Sequence, residues 1–516
     1  MSEMLGNVLA RSARLHADRE ALVDGDRRWT YAELDARVQA LDAAFDDLGL
    51  RAGDVVAVLS LNSGEHLLTW LAVPRSGRVL NDLNVRLSPA ELEFILGDCG
   101  ARVLIVDESL GELGRRLADA VDCVEHLIDP QRLEAMCTAG ARRPLAPLAP
   151  DTLAGIFYTG GTTGVPKGAM LTHANLVQNA KHMLIAMGYD EHDVYMHSAP
   201  MFHLADGASL YSITWVGGAH VIQRAFTPAG WLELVQAERV TRSLLVPSMV
   251  GMLLQEPSLT DADLSSIRGL MYGASPMPTA VLTRALEAIP GDWYQGYGMT
   301  EAAPLVCVLS PEDHRAGLSG NEAAATRLRS AGRPIVGVEL EVRGPDGVTA
   351  CEIGEPGEIH VRGPNIMAGY WNRPEETAAV LSADGWYRTG DAAYADADGY
   401  VFIVDRIKDM IISGGENVYC VEVENAVHRH PAVVECAVFG IPHERWGEQV
   451  HAAIVLRAGA VVDDEEIVRH CRTLIAGYKV PRTIAFHDEL PKSGAGKILK
   501  RAMRAAYWEP DGQPVG

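Results

Sequence analysis

Short β-branched runs alternate with stretches of helical apolar spacing along most of the chain, the order expected of a layered α/β architecture. "VVAVLSL" (Val55 to Leu61) and "RVLIVD" (Arg102 to Asp107) are apolar runs of strand length, which predicts buried strands. "YAELDARVQALDAAFDDLG" (Tyr31 to Gly49) spaces its apolar residues at helical intervals and stops at a glycine, as does "TAVLTRALEAIPG" (Thr279 to Gly291). From about Pro334 the pattern changes to short strands between Gly/Pro/Asp turns, "GPDGV", "GEPGEIHVRGP" and "DADGYVFIVD", which predicts a β-rich unit. After Asp405 a compact α+β pattern follows, with "CVEVENAVHRH" and "DEEIVRHCRTLI" as helices and "VECAVFGI", "HAAIVLR" and "RTIAFH" as strands.

At 516 residues the chain exceeds one ordinary domain, and two or three compact units are expected. The main boundary falls at "DRIKD" (Asp405 to Asp409), where the last independent pattern opens. Hydrophobic residues at 48% and charged ones at 22% sit near globular averages, without low-complexity or repeated segments.

Charge narrows the partners. Lys plus Arg number 45 against 68 acidic residues, and a net charge of -23 repels nucleic-acid backbones. A small anion could still be held by a few aimed lysines and backbone amides. The eight cysteines form no CxxC pair, so neither a zinc site nor a disulfide framework is indicated, and a reducing cytoplasm is the expected setting. The N-terminal stretch lacks an apolar signal core, and no apolar run approaches membrane-spanning length.

The densest chemistry lies in "YTGGTTGVPKG" (Tyr158 to Gly168), directly after the apolar run "LAGIFY". Glycines there let backbone N–H groups converge on phosphate oxygens, while Thr159, Thr162, Thr163 and Lys167 add hydroxyl donors and a cation. Taken alone, such a stretch also fits a plain surface loop. It is not a Walker A loop, because no glycine stands five positions before a Gly-Lys-Ser/Thr end, and no G-x-G-x-x-G occurs.

This loop resembles the phosphate-loop signature of the adenylate-forming (AMP-binding) superfamily, which includes acyl-CoA synthetases, adenylation domains and luciferases. Four further stretches match in order: "YGMTE" (297–301), "GWYRTGD" (385–391), "DRIKDMIISGGENV" (405–418) and "LPKSGAGKILKR" (490–501). The resemblance runs from "WTYAEL" at Trp29 to "KILKR", nearly the whole chain. It implies a large N-terminal AMP-binding region of layered α/β subdomains over 1–404, whose β-rich part covers 334–404. A hinge at 405–408 and a small, mobile α+β C-terminal domain over 409–516 would follow.

It also implies a reaction and a set of ligands: a carboxylic acid, ATP, Mg2+ and coenzyme A. A carboxylate attacks the α-phosphate of ATP, pyrophosphate leaves, and the acyl-adenylate passes its acyl group to a thiol. By the resemblance, Thr159, Gly161, Thr162, Thr163, Gly164 and Lys167 hold phosphate, and Gly273, Ala274 and Gly298 join the nucleotide site. Tyr297 would stack on adenine, Asp391 would accept from both ribose hydroxyls, and Arg406 would lie near ribose and phosphate. Thr300 would donate to phosphate beside Glu301 as the Mg2+ ligand, although an N-cap threonine before a first-turn glutamate fits that pair equally well in isolation.

Lys497 would be the mobile catalytic cation and Lys408 the pivot. Gly414 and Gly415 would line the pantetheine passage, with Trp446 and Tyr478 near the CoA nucleotide. His203 of "PMFHLADG" (200–207) takes the place of the residue that gates the acyl pocket.

Departures matter too. Gly160 stands where serine is usual, removing one hydroxyl donor, and Cys420 stands where proline is usual. Asp206 occupies a position commonly glycine or alanine. Buried unpaired it would be costly, so it is expected to find a backbone donor or face water, or, more boldly, to contact a substrate hydroxyl or amine. The remaining pocket segments, "LLVPSMVG" (244–251), "MYGASPM" (271–277) and "APLVCVL" (303–309), supply no Lys or Arg. That favours a fatty or aromatic monocarboxylate over a dicarboxylate. An acyl-carrier protein as acceptor, or a catalytically lapsed nucleotide-binding protein, are the alternatives. No interface signature is visible, and a homodimer is compatible with the sequence.

Overall fold

The structure, a computed structural model, describes residues 4–140, 143–159, 166–275, 277–406, 410–413, 416–443, 446–492 and 498–508. Asp405, Arg406, Ile412, Glu416 and Asn417 among these are described by backbone alone.

Four sheets organise the described residues. In the first, of seven strands, Leu153–Thr159, Val79–Asp82, Val55–Leu59, Ala101–Val106 and His126–Ile128 run parallel, and Lys167–Thr172 and Gly369–Tyr370 close one edge antiparallel. Val55–Leu59 is buried at every position, as a parallel strand covered on both faces must be. The second sheet has nine strands, with a parallel run through Asp292–Gly298, Gly269–Gly273, Arg242–Leu245, Val194–His197, Ala219–Ile222 and Glu20–Asp24.

A four-stranded antiparallel sheet, Glu339–Arg343, Gly357–Arg362, Tyr387–Ala395 and Val401–Arg406, follows where the turn-rich pattern predicts a β unit. The last sheet combines Ile411–Ser413, Glu416–Val418, Val433–His443, Gly447–Leu456 and Thr483–His487 with helices Cys420–His428 and Asp464–Arg472 against it.

Local chemistry explains the boundaries. Helix Tyr31–Asp47 opens with a reciprocal capping box between Thr30 and Glu33, which satisfies two otherwise unpaired backbone donors. Helix His173–Met187 ends at Gly188, whose φ of 63° is left-handed and therefore suits a residue without a side chain. Cys420 is buried as the first residue of its helix, a position where proline would also fit, so that departure leaves the helix start intact. One large apolar core runs between the first three sheets and includes Trp70, Trp231 and Trp293, all almost fully buried.

Asp206 corrects an expectation. Its side chain has no solvent exposure, and among the described residues its carboxylate is held by side chains rather than by a backbone donor. Oδ1 accepts from the Tyr195 hydroxyl at 3.1 Å, and Oδ2 accepts from His197 Nδ1 at 2.7 Å. His197 Nε2 lies 3.0 Å from His220 Nδ1, whose Nε2 is 3.0 Å from the Thr214 hydroxyl. Two side-chain partners on its two oxygens, one of them continued through His220 to Thr214, offset the cost of burying the Asp206 carboxylate.

Candidate active site

Strands Gly269–Gly273 and Asp292–Gly298 run parallel and end side by side, with Gly273 opposite Gly296. A Cβ on Gly273 would come within 2.4 Å of the Gly296 carbonyl oxygen, so the close approach of the strand ends requires glycine. Ala274 follows with a left-handed φ of 66°. Gly298 turns tightly under Pro304, whose carbonyl oxygen would lie 1.9 Å from an added Cβ.

Tyr297 projects from this strand end and donates its hydroxyl to Asp391 Oδ2 at 2.7 Å. Burial, with the Asp391 carboxylate beside it, pushes the Tyr297 phenol well above its ordinary value, so it stays a donor. Asp391 comes from Tyr387–Ala395 in the four-stranded sheet, where its backbone registers against Arg406. The structure thus brings together Tyr297, Asp391 and the Arg406 backbone.

Thr300 and Glu301 form the following 3-10 turn. The turn is fixed by Asn365, whose Nδ2 donates to the carbonyls of Ala302 at 2.7 Å and Leu305 at 2.9 Å. Glu301 is buried, and its Oε1 accepts from the Tyr370 hydroxyl at 2.8 Å. Lys167, the first residue of its strand, pairs across the sheet with Thr159, forms an ion pair with Glu376 and lies 5.5 Å from the Tyr370 ring. Thr159, Lys167, Tyr370 and Glu301 therefore belong to one region at the end of the strand that leads into the glycine-rich loop.

His203 directly precedes the short helix Leu204–Gly207 and packs on Phe202 with ring centroids 4.6 Å apart. Burial pushes its imidazole down to about 4, with a smaller contribution from Arg86, so it is neutral at ordinary pH. It shares a cavity with Thr300, Tyr158 and Phe202.

Trp446 and Tyr478 lie in the C-terminal unit. Trp446 stacks on His443 at 4.1 Å and takes the Arg482 guanidinium over its ring at 3.7 Å, while Tyr478 is 40% exposed. Gly161, Thr162, Thr163, Gly164, Lys408, Gly414, Gly415 and Lys497 lie outside the described residues, as does Gly160. Tyr370 and Asn365 were not singled out from sequence. They stand 69 and 63 residues from their partners, and only the pairing of strands brings them in.

A single magnesium ion held by one carboxylate plus substrate phosphates and water is the usual arrangement for Mg2+ in nucleotide sites. Glu301 fits that chemistry: Tyr370 fixes one carboxylate oxygen and orients the group, leaving the other for a hard cation.

The model of the AMP-binding enzyme family matches residues 9–371, and that of the AMP-binding enzyme C-terminal domain matches residues 422–497. A feruloyl-CoA synthase of an Amycolatopsis species is 41% identical over 504 residues, covering 98% of this chain and 99% of that protein. A medium/long-chain fatty-acid–CoA ligase of Mycobacterium tuberculosis is 35% identical, covering 99% and 91%. Among solved structures, o-succinylbenzoate CoA synthetase from Bacillus subtilis, in complex with its acyl-adenylate intermediate, superimposes with a TM-score of 0.86 at 32% identity, covering 96% of this chain and 98% of that one.

Proposed function

The chain belongs to the AMP-binding enzyme family as an AMP-forming acid–thiol ligase, and from that premise we propose that it joins a fatty or aromatic monocarboxylic acid to coenzyme A through an acyl-adenylate. The convergence of Tyr297, Asp391, Thr300 and Glu301 from two sheets carries the reading. Two anions, a carboxylate and a triphosphate, must meet while charge develops on phosphate oxygens, and aimed donors lower that barrier most when they are already in place.

In this reading Asp391 accepts from the ribose hydroxyls, with Tyr297 holding its second oxygen and presenting a ring to the adenine. Thr300 donates to the α-phosphate, and Lys167 supplies charge beside the loop. Mg2+, when bound through Glu301, neutralises phosphate charge. His203, neutral and buried, borders the acid's carboxyl end without adding a competing cation. An acid with an apolar body is supported by the apolar character of Leu244, Val250, Met271, Val306 and Leu309 in the expected pocket segments, which supply no lysine or arginine.

The C-terminal unit, joined at 405–408, would alternate between presenting Lys497 for adenylation and Gly414 and Gly415 for thiol transfer, with the pivot at Lys408. Trp446 and Tyr478 would then meet the CoA nucleotide. The eight free cysteines support a reducing, cytoplasmic setting.

The test is pyrophosphate release with ATP and Mg2+ across a panel of carboxylic acids, with and without CoA. Turnover sustained only with CoA is expected. A single CoA-independent burst would assign another acceptor, such as a carrier protein, and silence with every acid would overturn the reading.

A further inference from the structure

Lys167 is the cation that the reading above assigns to phosphate, and within the chain its charge is matched by a carboxylate. Its ammonium forms an ion pair with Glu376, and the two side chains are 15% and 36% exposed. The same ammonium lies 5.5 Å from the centroid of the Tyr370 ring, whose hydroxyl donates to Glu301 at 2.8 Å. Lys167 therefore lies against the group that orients the candidate Mg2+ ligand, while its charge is held by a carboxylate that the nucleotide chemistry does not use. A largely buried ammonium needs a counter-charge whenever phosphate is not supplying one, and Glu376 provides it.

The surroundings let the lysine change partners without moving its strand. The backbone of Lys167 pairs with Thr159, and that of Gly168 with Tyr158, in the two strands that carry the glycine-rich loop. Trp371 N donates to the Gly168 carbonyl at 2.8 Å and Trp371 Nε1 to the Asp98 carbonyl at 3.0 Å, while the Tyr158 hydroxyl donates to Asp98 Oδ2 at 2.6 Å. Both stems are thus anchored, and the part left to turn is the lysine's four-carbon chain, a flexible carrier of a point charge. Glu376 is equally provided for. Arg373 donates to Asp98 Oδ1 at 2.9 Å and brings its Nε within 3.8 Å of the Glu376 carboxylate, so departure of Lys167 leaves that carboxylate beside a cation.

We propose that Glu376 is a resident competitor of ATP: its carboxylate and the phosphates contend for the Lys167 ammonium, so Glu376 sets how tightly phosphate-rich ligands bind. The proposal rests on the ligase reading above. With Thr300 on the α-phosphate, Lys167 serves the β- and γ-phosphates. Each contact it makes there breaks the Glu376 pair, which weakens ATP binding. As pyrophosphate departs, the carboxylate takes the ammonium back, which weakens binding of that product as well. AMP does not engage the exchange.

The experiment measures Kd for ATP, pyrophosphate and AMP, each with Mg2+, by titration calorimetry on wild type, Glu376→Gln and Glu375→Gln. Glu375 is the exposed neighbouring carboxylate of the same helix, so its variant removes an equal charge and leaves Lys167 paired. In Glu376→Gln, Kd for ATP and for pyrophosphate should each fall by about threefold, the scale of a partly exposed ion pair, with Kd for AMP unmoved. Glu375→Gln should match wild type with all three ligands.

Unchanged or weaker ATP binding by Glu376→Gln would overturn the proposal, the weaker binding making Glu376 a support for Lys167. Equal shifts for ATP and AMP, or an equal shift in Glu375→Gln, would overturn it too, because the general field of a carboxylate would then suffice. Wild-type enzyme that binds none of the three ligands would instead defeat the ligase reading, which keeps the two failures distinct.

Discussion

The Tyr297 hydroxyl and the Asp391 carboxylate, 94 residues apart in the chain, meet at 2.7 Å and tie the end of the nine-stranded sheet to the four-stranded sheet. The bond occupies one oxygen of the carboxylate that the ribose would use, so it orients Asp391 before any nucleotide arrives.

Tyr297→Phe removes this donor and keeps the ring. KM for ATP should rise about 3- to 10-fold, the equivalent of about 1 kcal/mol, with kcat changed little. ATP–pyrophosphate exchange measures both, and an unchanged KM would show that Asp391 needs no such support.

Tyr370 stands behind Glu301 in the same way. Losing an orienting partner of a metal ligand typically weakens metal affinity about 10- to 100-fold. Tyr370→Phe should therefore raise the Mg2+ concentration for half-maximal rate by about tenfold at saturating ATP. A Mg2+ titration of pyrophosphate release checks it.

Asp206→Ala strands the donors of Tyr195 and His197 inside the core. Stability should fall by about 3 kcal/mol, read from urea unfolding, while the rank order of accepted acids stays as in wild type. A reordered substrate preference would return Asp206 to the acid pocket.

Burial pushes His173, His182, His203, His428 and His451 each down to about 4. In the unfolded chain they titrate near about 6.5, so there they bind protons first as pH falls. Their stability contribution is whole above about 6.5 and is lost as pH drops from there through 4, above most of the carboxylate range. Thermal midpoints measured from pH 7.5 to 4.5 should decline across that window, and a flat profile would contradict the burial.

Lys497→Ala should abolish acyl-adenylate formation by about 10²-fold or more while sparing thiol transfer from supplied adenylate, as expected for a transition-state cation on a mobile unit. Equal losses in both half-reactions, followed by single-turnover assays, would contradict domain alternation.

Much of this protein was legible in its local pattern. Alternation of apolar runs and amphipathic stretches specifies strands and helices because backbone periods of two and 3.6 select which residues can share a buried face. The strand Val55–Leu59, the helix Tyr31–Asp47 with its Thr30 cap and the turn-rich sheet after Pro334 are all of this kind. The ordered motifs likewise identified the family, because phosphate-binding loops and strand-end turns keep their chemistry within a few consecutive residues.

What the sequence could not show is which distant groups complete one another. Tyr370 supports Glu301, Asn365 fixes the Thr300 turn, and His66 pairs with Asp82 only after strands from separate segments have been laid in register. Asp206 makes the contrast plain. Its neighbours in the chain suggested a carboxylate that finds a backbone donor, faces water or contacts substrate, but strand Val194–His197, laid beside Ala219–Ile222, delivers His197 and Tyr195 to it instead. Periodicity along a chain records which face is apolar, and the partner of a buried polar group is decided by tertiary packing, where leaving it unpaired costs more than any local preference returns.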